Sequence, residues 1–176
     1  MACNRLSAPL FTKGKTMKEL TSAELSQVAE IELSYRNVHP AAKRPKINSA
    51  EDAALLLRSM WDDNKIELLE QVKLLLLDRD MRCLGVSDIA SGWISGCIVD
   101  PKIVYAIALK AKASGLILAH NHPSGNIAPS KADRQLTEKL QEAGKVLDIA
   151  FHDHLIITRD GFSSYERTWD CFPSPA

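Results

Sequence analysis

The sequence predicts a mixed α/β fold, in which helices pack on a curved sheet of parallel and antiparallel strands. Short apolar runs within residues 70–77 and 116–119 are typical of buried strands. Segments with helical spacing of apolar residues, and with good capping residues at their starts, lie before, between and after these runs. The resulting order is strand, helix, β-hairpin, helix, strand, helix, strand, and this order indicates the fold class.

The N-terminal part of the chain predicts one strand and one helix. Residues 28–35 alternate between two faces, as in a half-buried strand, and residues 36–47 contain two prolines and form a loop. Asn48 or Ser49 then caps a helix with acidic residues in its first turn. We expect this helix to run to about Trp61, which we assign to the core or its edge.

The middle of the chain predicts a hairpin followed by a helix. Residues 70–77 form a buried strand that ends at the polar turn of residues 78–80. Residues 83–89 are its hairpin partner. Pro101 suits the first turn of the next helix. Apolar residues keep helical spacing along this helix, and we expect it to end at Gly115.

The C-terminal part predicts a strand, a helix and another strand. Residues 116–119 are apolar on both faces, as in a central strand. Ser130 is a good N-cap for a helix that ends at Gly144. Residues 151–158 form the following strand.

The length and charge of the chain restrict the classes of function. With 176 residues the chain fits one domain, and we expect this domain to span residues 28–170, after a leader of residues 1–27 and before a tail of residues 171–176. Met17 is an alternative start. Basic and acidic residues both number 22, so there is no net positive charge to hold nucleic acid.

The cysteines, the apolar runs and the N-terminus indicate the cellular compartment of the protein. Four cysteines show no CxxC spacing, which favours free thiols in a reducing compartment. The apolar runs are too short to span a bilayer, and the N-terminus lacks the apolar core of a signal peptide. We therefore expect a cytoplasmic protein.

His120, His122 and Asp133 form the most informative pattern of the sequence. Two histidines one residue apart converge on one metal if they leave the end of a strand, and a carboxylate at the start of the next helix closes the site. These ligands suit a catalytic zinc ion with one open position. Asp133 also stands three residues after Ser130, where its carboxylate can instead complete a capping box. Between them, Ser124 and Gly125 shape the turn, while Asn121 points away from the metal.

The spacing of His120, His122, Ser130 and Asp133 resembles the JAMM motif of the JAB/MPN metalloprotease fold. The run from His120 to Gly125, HNHPSG, and the later block of residues 153–157, DHLII, resemble the RadC branch of bacterial proteins. The resemblance covers about residues 48–168 and implies a JAB/MPN metalloprotease-like, cytidine-deaminase-like layered architecture. RadC proteins often carry an N-terminal helix-hairpin-helix region, and residues 1–47 show no such pattern.

The resemblance implies further site residues. JAMM enzymes use an upstream glutamate as general acid and base for the zinc-bound water, and Glu70 is the candidate, with Glu67 as the alternative. Ser130 assists the oxyanion or is only a helix N-cap. His154 supports the site or is a structural histidine, while His39 and His152 carry no motif and are expected to be exposed.

The first functional hypothesis is therefore a zinc-dependent hydrolase of the JAMM type that cleaves a peptide or isopeptide bond. The second follows from the DNA-repair label of RadC proteins: a DNA-associated or scaffolding module with a structural or vestigial metal site. A nucleobase deaminase is disfavoured, because its His-x-Glu and Pro-Cys-x-x-Cys patterns are absent. An exposed strand edge at residues 28–35 offers a surface for a homo-oligomer.

Overall fold

The computed structural model describes residues 39–91 and 99–165 of the chain. These ranges contain three α-helices and five β-strands, besides a short 3-10 helix at Ala41–Lys43. In chain order they are α1 (Ala50–Arg58), β1 (Gln71–Leu77), β2 (Cys83–Ser91), α2 (Pro101–Lys110), β3 (Gly115–Asn121), α3 (Lys131–Leu147), β4 (Ala150–Ile157) and β5 (Phe162–Ser164).

The five described strands form one mixed sheet in the order β2-β1-β3-β4-β5. β3 and β4 are parallel, because α3 carries the chain back between them, and the other neighbouring pairs are antiparallel. Val72 of β1 pairs with His120 of β3. The mixed α/β class predicted from the sequence is confirmed.

The helices cover both faces of the sheet. Side chains of a strand alternate between faces, so each strand contributes to two apolar layers. One layer, here called the α1 face, packs against α1 and includes Leu75, Ile117 and Leu155. The other, here called the α3 face, packs against α2 and α3 and includes Leu74 and Leu118. β3 is buried along its whole length between these two layers.

The helix starts follow the predicted caps. Ser49 is the N-cap of α1, since its hydroxyl accepts a hydrogen bond from the Asp52 N–H at 3.2 Å. Asp100 caps α2, with Pro101 in its first turn. α1 ends at Arg58, before the predicted end at Trp61, and the Trp61 side chain is buried in the core as expected.

Two predicted helix ends are wrong, because both glycines serve close packing. α2 ends at Lys110, and Gly115 begins β3, where a Cβ atom would lie 2.2 Å from Nε2 of His152. His152, whose ring lies against Gly115, is only partly exposed, against the prediction. α3 continues through Gly144, where a Cβ would lie 2.7 Å from the Tyr105 hydroxyl.

Several predictions lie outside the described residues. They are the strand at residues 28–35, the leader of residues 1–27, the alternative start at Met17 and the tail of residues 171–176. The sequence did not predict β5, which has only three residues. Among the helices that the structure describes, none is both long and apolar enough to cross a membrane.

Candidate metal centre

The end of β3 and the turn after it present the two histidines. His120 is buried, and its neighbour Asn121 points to the opposite face, as predicted. His122 follows the strand, and its backbone N–H donates to the carbonyl of Ile157 at 3.0 Å. The chain then turns, with the Gly125 N–H donating to the His122 carbonyl. Gly125 has φ 76°, a conformation that favours glycine.

Asp133 reaches the histidines from the first turn of α3. Its backbone N–H donates to Oγ of Ser130 at 3.2 Å, and its Oδ2 accepts from the Ser130 N–H at 2.7 Å. Its Oδ1 lies 3.4 Å from Nε2 of His120. The sequence left open whether Asp133 completes a capping box or faces a metal. The capping box is present, and it orients the carboxylate so that Oδ1 faces His120, while Oδ2, which accepts from Ser130, also lies 3.9 Å from Nε2 of His122.

His120, His122 and Asp133 form a group that could hold a metal ion. One ligand atom from each residue lies within 4.8 Å of the others. Burial raises the pKa of the Asp133 carboxyl, but hydrogen bonds with Ser130 and, in acid where they are protonated, the charges of His120 and His154 outweigh burial, so its pKa is lowered overall. Asp133 is therefore an anion at neutral pH, as a metal ligand must be.

A chain of hydrogen bonds fixes which ring nitrogen of His120 bears the proton. Thr137 donates its only hydroxyl proton to the Asp133 carbonyl at 2.7 Å, so it accepts from Nδ1 of His154 at 2.7 Å. Burial lowers the pKa of His154 to about 3 and that of His120 to about 4, so both rings are neutral at pH 7. Nε2 of His154 therefore accepts from Nδ1 of His120 at 2.8 Å, and Nε2 of His120 carries a lone pair.

His122 is oriented in the same way from the turn. Its Nδ1 lies 2.6 Å from the carbonyl of Asn126, which only accepts, so this nitrogen bears a proton. In the neutral ring Nε2 then carries a lone pair, 2.9 Å from Nε2 of His120. Two lone pairs at this distance repel each other unless a cation lies between or beside them. The donor set therefore fits a metal ion.

Glu70 immediately precedes β1 and is half-buried. The ladder between β1 and β3 ends at the pair Val72–His120, so Glu70 lies two residues beyond it, at the same end of the sheet where β3 presents His120 and leads into His122. Glu67 is engaged elsewhere, since its carboxylate binds Nη1 of Arg159 at 2.7 Å in an exposed ion pair.

Ser130 is exposed at the N-terminus of α3. Its Oγ accepts the hydrogen bond from the Asp133 N–H, and a hydroxyl that accepts in this way still has a proton to donate. The N-cap role is observed. The remaining hydroxyl proton is compatible with donation to a substrate oxygen. Negative charge on such an oxygen is favoured at this place, because the N-terminus of a helix attracts anions.

The structure adds one residue that the sequence reasoning missed, Thr137, and it places the remaining histidines. Thr137 was not singled out, although its spacing of four from Asp133 on a helix places both on one side of α3. His154 is buried and bonded to His120, which matches the alternative that it supports the site. His39, which has no motif, is exposed as predicted.

The chain is similar to bacterial proteins over nearly all of the described region. Residues 47–169 match the model of the RadC-like JAB domain family. A UPF0758 protein of Flavobacterium johnsoniae is 37% identical, over 92% of this chain and 69% of the relative. A UPF0758 protein of Picosynechococcus is 36% identical, over 91% of this chain and 69% of the relative. One of Thermotoga maritima is 40% identical, over 56% of this chain and 44% of the relative. The family match includes every candidate ligand.

Proposed function

Because the chain belongs to the RadC-like JAB domain family, we propose that it is a zinc-dependent hydrolase that cleaves an amide or isopeptide bond. The observation that supports this proposal is the convergence of His120, His122 and Asp133, with both Nε2 lone pairs turned towards each other. Two imidazoles and one carboxylate, with a fourth position open, are typical of catalytic rather than structural zinc sites.

The zinc ion would be held by His120, His122 and Asp133. When bound, zinc supplies Lewis acidity and lowers the pKa of a coordinated water to about 7. In the proposed mechanism Glu70 accepts a proton from the attacking water and passes it to the leaving amine. Its place immediately before β1, at the end of the sheet where β3 presents the histidines, supports this role. General acid–base catalysis of this kind contributes about 10²- to 10⁴-fold to the rate.

Ser130 would act on the carbonyl oxygen of the scissile bond. Its Oγ is fixed by the Asp133 N–H, so the hydroxyl proton can point out of the helix towards the carbonyl oxygen of the substrate. Negative charge develops on that oxygen in the transition state, and a preorganised donor there stabilises the charge. The N-terminus of α3 adds a favourable field at the same place.

Metal content and turnover of matched variants test the proposal. We expect about one zinc per chain in the wild type, loss of zinc in His122→Ala, and retention of zinc in His39→Ala, whose histidine is exposed and outside the cluster. A panel of peptide and isopeptide substrates, assayed with the same three proteins, should show turnover only where zinc is retained. A wild type that binds no metal under non-chelating purification would refute the proposal.

The rival hypothesis, a DNA-associated or scaffolding module with a structural metal, predicts a different result. In that case zinc is bound, no substrate of the panel is cleaved, and branched or single-stranded DNA binds with an affinity that falls steeply with salt. The equal numbers of basic and acidic residues do not favour this hypothesis.

A further inference from the structure

Asn121, the residue between the two histidines, is fully buried on the α1 face. Its Oδ1 accepts hydrogen bonds from the indole N–H of Trp61 at 3.2 Å and from the backbone N–H of Gln71 at 2.8 Å. Its Nδ2 donates to the backbone carbonyls of Ile66 at 2.6 Å and Leu69 at 3.0 Å. A side chain of β3 thus binds the chain that leads into β1.

These four bonds use the whole hydrogen-bonding capacity of the amide, which has two lone pairs on oxygen and two protons on nitrogen. They also fix its orientation. A flipped amide would set its NH₂ group against the N–H groups of Trp61 and Gln71, and its oxygen against two carbonyls. Only asparagine among residues of this size offers two acceptor and two donor sites in this arrangement.

The bonded chain is the irregular connection between α1 and β1. Residues 62–70 contain turns but neither α-helix nor strand. The carbonyl of Leu69 and the N–H of Gln71, which Asn121 holds, lie immediately before and after Glu70. A single side chain therefore fixes the backbone on both sides of Glu70.

We propose that Asn121 is the positioning residue that holds Glu70 beside the metal centre; this inference rests on the proposed role of Glu70 in hydrolysis. Successive residues of a strand point to opposite faces. β3 therefore directs His120 towards the metal centre and Asn121 towards the connection that carries Glu70. One strand sets both a metal ligand and the general base, so their separation depends on a rigid backbone.

The competing explanation is that Asn121 only stabilises the fold. The two explanations differ in what happens when Glu70 is already replaced. A positioning residue acts through Glu70, so its substitution has no further effect on the rate in a Glu70→Gln background. A residue that only stabilises the fold lowers the rate of both backgrounds by the same factor.

The experiment uses Asn121→Ala, with Asn64→Ala as a matched control in the same connection, where Asn64 bonds to Asp62 and not to Asn121. Should Asn121→Ala fail to fold, Asn121→Ser replaces it. Hydrogen exchange of the Gln71 amide is measured by NMR, together with zinc content and turnover in the presence and absence of Glu70→Gln. We expect Gln71 to exchange at least about tenfold faster in Asn121→Ala, as for the loss of one buried hydrogen bond, and no change in Asn64→Ala.

Zinc content should stay at the wild-type level, and turnover should fall about tenfold with Glu70 present but less than about twofold in the Glu70→Gln background. Unchanged exchange at Gln71 overturns the inference, whatever the rates are. Equal rate losses in both backgrounds, or loss of zinc, also overturn it, because Asn121 would then act on the fold or on the metal.

If the wild type shows no turnover, the proposed hydrolase activity is refuted. The positioning role of Asn121 is then tested by a separate measurement that needs no turnover. With Co²⁺ as the metal probe, the side-chain NMR signals of Glu70 should show a large paramagnetic shift in the wild type and a smaller one in Asn121→Ala. Glu70 signals without a paramagnetic shift, or with the same shift in both proteins, would overturn the inference.

Discussion

The two sides of the candidate site are built in different ways. The ligand side, consisting of His120, His122 and Asp133, lies on a strand end and a helix N-terminus. Most of its orienting bonds are local, as between Ser130 and Asp133, although His120 also depends on His154. The Glu70 side, residues 66–71, lies on an irregular connection, and its bonds to Asn121 span 50 to 55 residues of sequence.

This difference has a consequence for function. The ligand side needs only β3, the turn after it, α3 and β4, which follow one another in the chain: Asp133 is oriented by Ser130, and β4 supplies the bonds of Ile157 to His122 and of His154 to His120. The Glu70 side needs the sheet and α1 to be assembled around it. Metal binding and turnover should therefore be separable by substitution, and the following predictions test that separation.

The largest effect is expected on the Glu70 side. Glu70→Gln should lower turnover by about 10²- to 10⁴-fold while zinc content is unchanged, because the amide cannot accept the proton of the attacking water. Glu67→Gln is the matched control, since that carboxylate binds Arg159, and its rate should stay within about threefold of wild type. The rates of both variants on the same substrate show which of the two glutamates transfers the proton. A larger loss in Glu67→Gln would move the proton-transfer role to Glu67.

The next effect concerns Asp133, which combines a capping box with a place in the ligand group. Asp133→Asn should weaken zinc binding by more than about 100-fold, since it removes an anionic ligand rather than an outer partner. Asp52→Asn is its counterpart in α1, where Ser49 is the N-cap and Asp52 the third residue of the helix. Zinc titration should leave Asp52→Asn at the wild-type affinity, and equal losses in both variants would show that only helix stability had changed.

The sequence anticipated the ligand side better than the Glu70 side for a physical reason. His120, His122 and Asp133 follow from strand alternation and helix capping, which are local rules. The roles of Gly144 and Gly115 depend on Tyr105 and His152, which are distant in sequence, so reading these glycines as helix ends was wrong. Asn121 was correctly expected to point away from the metal, but its four bonds depend on tertiary contacts that no spacing reveals.

A smaller effect is expected from Thr137, the last residue in the chain of bonds that sets the tautomer of His120. Thr137→Val removes the acceptor of the His154 Nδ1–H and should weaken zinc binding about tenfold, as for loss of an outer hydrogen-bond partner. Thr158→Val is the control, because this buried hydroxyl bonds to Gly161 and not to the site. Both variants should lose about 1 to 3 kcal/mol of stability, so a difference in zinc affinity alone separates the two roles.

The smallest effect is expected from Gly125, and it tests how far the turn after β3 positions the metal ligand His122. Gly125 has φ 76°, where a Cβ would meet no atom within 4 Å, so Gly125→Ala introduces backbone strain without a clash. We expect thermal unfolding to show a loss of about 1 kcal/mol, and zinc titration a loss of a few fold in affinity, because strain in the turn displaces His122. Gly85→Ala in β2 also meets no atom within 4 Å and lacks a positive φ, so it should change neither the zinc affinity nor the turn. If Gly125→Ala lowers stability and leaves zinc affinity unchanged, His122 is held by its bonds to Ile157 and Asn126 alone, and the turn conformation contributes nothing to the metal centre.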